Sequence, residues 1–180
     1  MSMRLAPAAV VFCCCGLFAS AQTMWLDVPF VRQEKNGCGA ASIAMVMQYW
    51  ERQQGEPISK SANAAHIQNL LFSKKTHGIY ASDMDGYFEQ HGFRAFAFEG
   101  NWDEVQKHLK RGRPLIVALK IASDRYPMHY VVIAGLGNDE TILVNDPAQR
   151  KLLKEDRSTF DREWSAAGRW TLLAVPQTGH

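Results

Sequence analysis

From Gly39 the chain reads AASIAMVMQYW, apolar on nearly every face. A helix of that kind has no side left for water, so the rest of the fold must enclose it. The charged ERQQGEP that follows, with its glycine and proline, predicts the end of the helix. A chain of 180 residues carries enough apolar material to build those layers within one domain. No repeat, low-complexity tract or composition shift divides it.

The segments on either side set the fold class. WLDVPFVRQ is a short extended lead-in to the buried helix. SKSANAAHIQNLLF predicts a second helix capped by Ser59 or Ser61. SDMDGYFEQHG predicts a third, with Ser82 and Asp85 in capping-box spacing and Gly92 as terminator. FRAFAFEG reads as a strand or extended connector. NWDEVQKHLKRG predicts a fourth helix, capped by Asn101 with Glu104 completing the box and ended by Gly112. The pattern then changes to short β-rich runs: PLIVALKI, HYVVIAGLG, ETILVNDP and RWTLLAVP. Helices followed by strands predict an α+β fold with segregated layers, the buried helix packing on an antiparallel sheet.

The first residues read differently. MSMR places a positive charge at Arg4, and LAPAAVVFCCCGLFAS is apolar but short for a membrane span. Ala19-Ser20-Ala21 has the small-x-small form of a cleavage site. Residues 1–21 are therefore expected to be an export signal, with residues 22–180 as the folded domain and the periplasm or exterior as destination. An uncleaved anchor, or lipidation at the Cys13–Cys15 run, is the alternative; the bulky Phe12 before that run fits lipidation poorly.

With the signal removed, Cys38 is the sole cysteine. Exported proteins usually carry cysteines in disulfide pairs, so a single thiol asks for a use. Cys38 stands at the start of the buried helix, where free N–H groups and the helix dipole favour a thiolate. Gly37 and Gly39 are expected to allow a tight entry turn and close approach of a substrate backbone. Gln33 is placed to offer its amide to a developing oxyanion.

The second half of the site is HYVVIAGLG followed by VNDP. His129 opens a strand that is otherwise apolar, and Asp146 opens the turn after the next strand. Antiparallel pairing brings the start of one strand beside the end of its partner. That pairing sets Asp146 beside His129, where a carboxylate fixes the imidazole and stabilises its charged form.

QEKNGCGAAS, HYVVIAG and NDP together resemble the papain-like bacteriocin-processing peptidases, family thirty-nine of the cysteine peptidases, over about Trp25 to Val175. RSTFDREW, with Phe160 and Trp164, is similar to that family's closing segment. The resemblance implies a papain-like peptidase fold with Cys38 as nucleophile, Gln33 as oxyanion donor, His129 as acid–base group and Asp146 as its partner. It implies a peptide or protein substrate and no cofactor. Exporter-linked members often carry an acidic residue just before the cysteine, where this chain has Gly37, and their glutamine stands one residue further from it. No transporter domain accompanies the motifs. These departures point to a stand-alone exported peptidase rather than one that cuts after a double-glycine leader. The same residues also suit an acyltransferase or amidase, or a module that binds peptides without cutting them.

The remaining polar residues call for no other chemistry. The basic stretch KHLKRGR reads as a helix C-terminus and not as a nucleic-acid patch. His66, His77, His91 and His108 lack the spacing of a zinc site and are expected at the surface or in packing. Asp83 and Asp85 read as helix N-terminal charges, and Met45, Met47 and Trp50 as core. Trp25 and Trp102 are candidates to line a cleft. No phosphate-binding glycine loop is present.

Overall fold

The computed structural model describes residues 23–121, 128–138 and 141–177. The expected signal lies outside them. The elements are β1 (Met24–Trp25), α1 (Cys38–Gln54), α2 (Ala64–Leu71), α3 (Ala81–Gln90), β2 (Phe93–Glu99), α4 (Trp102–Lys110), β3 (Leu115–Lys120), β4 (Met128–Leu136), β5 (Thr141–Asn145), β6 (Leu153–Asp156), α5 (Arg157–Ala166) and β7 (Trp170–Pro176). Seven strands form one sheet in the order β2-β7-β3-β4-β5-β6, with β1 paired to the far end of β4. Every pairing is antiparallel.

α1 is enclosed as its sequence requires: Gly39 through Met47 are all buried. It runs four residues past Trp50, through ERQQ, and stops at Gly55, which takes a left-handed φ of 71°. It lies against one face of the sheet in a cluster that joins Ile43 and Met47 to Ile116, Ala118, Tyr130, Val132, Leu172 and Ala174. Met84 and Phe88 of α3 enter the same cluster.

The opposite face is also covered by helices. Leu115, Val117, Leu119, Val131 and Ile133 pack on Val105 and Leu109 of α4 and on Phe160 and Trp164 of α5. Burial on both faces is why β3 and β4 read as unbroken apolar runs and not as alternating ones. α5 and β6 fall in a stretch where charges mask the pattern. Asp156 caps α5 by accepting a hydrogen bond from the Thr159 N–H at 2.9 Å, and Phe160 and Trp164 sit one turn apart on its buried side.

The caps differ from those expected in two places. Ser59 caps a short 3₁₀ turn, Lys60–Ala62, and Asn63 caps α2 through the His66 N–H. Ser82 lies inside α3, which starts at Ala81 without a side-chain cap, so Ser82 and Asp85 make no capping box. Asp83 is in its first turn, whereas one oxygen of Asp85 is buried without a hydrogen-bond partner and burial pushes that carboxyl above its ordinary range. Asn101 caps α4 as expected, although Glu104 bonds the Asn101 side chain and not its backbone.

Three tethers fix the lead-in to α1 against the end of the sheet. Leu26 N–H donates to Ala134 C=O at 2.7 Å, continuing the β1–β4 pairing. The buried Asn145 side chain donates to the Val28 and Pro29 carbonyls and accepts from the Leu152 N–H. Gln33 N–H donates to Pro147 C=O at 3.0 Å. Within the core, Ser42 Oγ donates to Tyr130 C=O at 3.3 Å, joining the first turns of α1 to the start of β4.

Candidate active site

Cys38 is the first residue of α1, and Gly37 is its cap with φ −102°. First-turn N–H groups of a helix, that of Cys38 among them, have no intrahelical acceptor and point toward whatever lies beyond the end. The tight entry is made by Asn36, at φ 57°, a left-handed position that asparagine tolerates. Gly37 has a different reason for being small: a Cβ there would press to 3.0 Å from Glu34 O. Gly39 faces the core and not the cleft, since a Cβ on it would lie 2.8 Å from Met84 Cε and 3.2 Å from Ile79 Cβ. The expected role of Gly39 in substrate approach is thus replaced by helix packing.

The β4–β5 register explains how His129 and Asp146 meet. Val132 pairs with Asn145. Extending that register by one residue sets Asp146 level with Val131, two positions along the strand from His129. Residues two apart on one strand share a face, so the pair are diagonal neighbours. His129 Nε2 lies 2.8 Å from Asp146 Oδ1, with both side chains largely buried. Because Nε2 is held by the carboxylate, Nδ1 is the ring nitrogen left for Cys38, which acts on the same imidazole and helps to raise its pKa.

The charges reinforce one another. Burial works to lower the His129 pKa, but the hydrogen bonds and charges of Asp146 and Cys38 outweigh it and hold the value at about 10. Burial works to raise that of Asp146, and the bonds from His129, Ala148 and Gln149 leave it below the usual carboxylate range. Tyr130, beside Cys38, is pushed up to about 12 by burial and by the charges of Cys38 and Asp85, so its hydroxyl stays neutral. Glu155 on β6 is pushed up to about 7 by burial and by the nearby Asp146 and Glu163 charges.

These shifts set a pH dependence of stability. A raised histidine pKa contributes stability in full below the unfolded value of 6.5, and loses it as pH rises toward about 10. The lowered Asp146 pKa contributes above the unfolded value of 3.8 and is lost as pH falls below it. Melting temperatures measured from pH 5 to pH 10 should therefore fall more steeply for the wild type than for His129→Gln. Parallel curves would mean that the pair carries no folding linkage.

Gln33, Cys38, His129 and Asp146 all line one cleft of about 460 Å³. The side-chain oxygen Oε1 of Gln33 is buried without a hydrogen-bond partner, and the Gln33 backbone N–H is held by the Pro147 carbonyl. Ile121 and the half-exposed Met128 give the cleft an apolar side, and Asn36, His77, Ala148 and Gln149 complete its wall. His77 is exposed, as expected, and its place at the surface is on the rim of this cleft. Trp102 lines a different cavity, of about 530 Å³ between α4 and the β4–β5 end, which holds none of the four candidate residues. Trp25 is exposed on β1 and lines neither.

Two contributors escaped the sequence reading. Gln149 donates from Nε2 to Asp146 Oδ2 at 2.7 Å, and the Ala148 N–H donates to Oδ1 at 2.8 Å. An Asp-Pro turn with polar residues just after it is the signal that was available, because Asp side chains bond the backbone two residues on.

The arrangement is that of a thiol, an imidazole and a carboxylate in line at the end of a sheet, with a helix N-terminus beneath the thiol. The sequence matches the model of the Peptidase_C39 like family over residues 25–172, and the chain belongs to that family. The fold is that of the papain-like C39 peptidase domains. A C39-like protein from Bacillus anthracis superposes with a TM-score of 0.69 at 18% identity, over 88% of this chain and 100% of that one. The peptidase domain of Streptococcus ComA, a bi-functional ABC transporter of a quorum-sensing pathway, gives 0.63 at 21% identity, over 83% and 99%. A double glycine motif protease from an AMS/PCAT transporter, solved with a leader peptide, gives 0.59 at 21% identity, over 89% and 96%. No curated protein matches.

Proposed function

We propose that the protein is an exported cysteine peptidase that hydrolyses peptide bonds through Cys38, His129 and Asp146. The observation that carries this reading is His129 held between a buried carboxylate and the thiol at the start of α1. The Cys38 thiolate attacks the scissile carbonyl, and the carbonyl oxygen takes up the negative charge. The Cys38 N–H and the Gln33 amide donate to that oxygen. His129, protonated while the thiolate is free, gives its proton to the departing amine. Asp146 keeps the ring oriented and its charged form stable. Water, deprotonated by His129, then hydrolyses the thioester and restores the thiol.

The substrate is an exported peptide or protein. Family membership and the fold shared with a protease solved with a leader peptide support that class. The apolar segment before Ala19-Ser20-Ala21 supports export. The direct test is mass spectrometry of a peptide library incubated with the purified protein, with and without an added amine nucleophile. New peptide termini that form without the amine and are absent with Cys38→Ala establish hydrolysis. An intact library, or products that form only with the amine, refutes it.

Gln33→Ala tests the oxyanion assignment. One lost donor costs on the order of 10²–10³ in kcat in the serine-protease precedent. The loss is expected in kcat, because the donor meets the oxygen as it becomes charged. A change confined to KM would place Gln33 on the ground-state substrate instead.

A further inference from the structure

We propose that Gln149 is a positioning residue for the active site, holding the Asp146 carboxylate at the rotation that presents Oδ1 to His129. The inference rests on the peptidase reading above and adds a residue to it. Oδ1 of Asp146 serves both His129 Nε2 and the Ala148 N–H, whereas Oδ2 receives Gln149 Nε2 at 2.7 Å. A carboxylate pinned at one oxygen can still swing about its Cβ–Cγ bond; a donor on the second oxygen stops that motion.

The placement of Gln149 is itself fixed. Its carbonyl accepts from Arg32 Nη2 at 3.1 Å, and the neighbouring Pro147 carbonyl accepts from the Gln33 N–H at 3.0 Å. Its N–H returns to the Asp146 carbonyl at 3.0 Å. The same short turn therefore ties the lead-in carrying Gln33 to the residue that orients His129. Gln149 is itself exposed and forms part of the cleft wall. The charged groups acting around Asp146 are His129 from β4 and Glu155 from β6, with Arg32 reaching the turn from the lead-in to α1. None of them donates to Oδ2, which leaves that task to Gln149.

The test uses Gln149→Leu, close in volume but without a donor, and Gln149→Glu, which can donate only while protonated. A misplaced catalytic group costs up to about a hundredfold in rate. Gln149→Leu should lose about tenfold to a hundredfold in kcat with KM little changed. Gln149→Glu should approach the wild-type rate at acid pH and fall below Gln149→Leu as pH rises, since a second carboxylate then faces Asp146. The same pH series, read as the rate of iodoacetamide alkylation of Cys38, needs no substrate. If the wild type cleaves no peptide, the peptidase reading fails while the alkylation series still decides the role of Gln149. Wild-type behaviour of both variants across pH, or a change in KM with kcat preserved, overturns the proposal; the latter would make Gln149 a substrate contact.

Discussion

Cys38→Ala should leave a folded protein with no measurable peptide cleavage. Cys38 is only partly buried, and it is the first residue of α1, where alanine fits the helical backbone without strain. The melting temperature should therefore stay close to that of the wild type. Its chemical role has no substitute: it is the sole cysteine among the described residues, and the cleft offers no other thiol. Removing the nucleophile of a serine protease costs on the order of 10⁶ in kcat, and a loss of that order is expected here. Cleavage at the wild-type rate would remove Cys38 from the mechanism.

His129→Ala should be nearly as severe. Nucleophile and base act as a unit, so removing either costs about the same in the protease precedent, on the order of 10⁶. The variant should still fold, because Asp146 keeps the Ala148 N–H and the Gln149 amide as donors. It should nonetheless be less stable than the wild type at neutral pH, having lost the imidazolium from beside a buried carboxylate. Peptide turnover and thermal melts on one preparation separate the two effects. A variant that unfolds cannot be read for catalysis, and His129→Gln, closer in shape, then takes its place. Full activity in a folded variant would leave the thiol without its acid and contradict the assignment.

The helix that starts at Cys38 was legible because an all-round apolar run has only one environment it can occupy. His129 and Asp146 were legible as a pair because strand ends and hairpin pairing follow from the same apolar runs. What lay hidden depended on tertiary packing. The second helical layer could not be read from β3 and β4, since an unbroken apolar strand says that both faces are covered but not by what. α5 was obscured by the charges around Phe160 and Trp164. Gly39 was misassigned because sequence shows that a residue is small and not which neighbour requires it; Met84 and Ile79 arrive from far along the chain. The capping box at Ser82 satisfied a local rule, but α3 begins one residue before it. His77 and Gln149 reach the cleft from turns whose paths no periodicity reports.

The pairing of Cys38 with His129 is tested most directly by alkylation. An ordinary cysteine is largely protonated at pH 6 and reacts slowly with iodoacetamide, whereas a thiolate paired with an imidazolium and set at a helix N-terminus reacts quickly. The label is located on the peptide that contains Cys38, so cysteines elsewhere in the chain do not enter the result. Rapid labelling of the folded protein at pH 6, slowed sharply by His129→Ala and by denaturation, is the outcome that the geometry requires. Labelling that is slow in the folded protein and speeds up on unfolding would make Cys38 a buried structural thiol, and the protein a binding module in place of a peptidase.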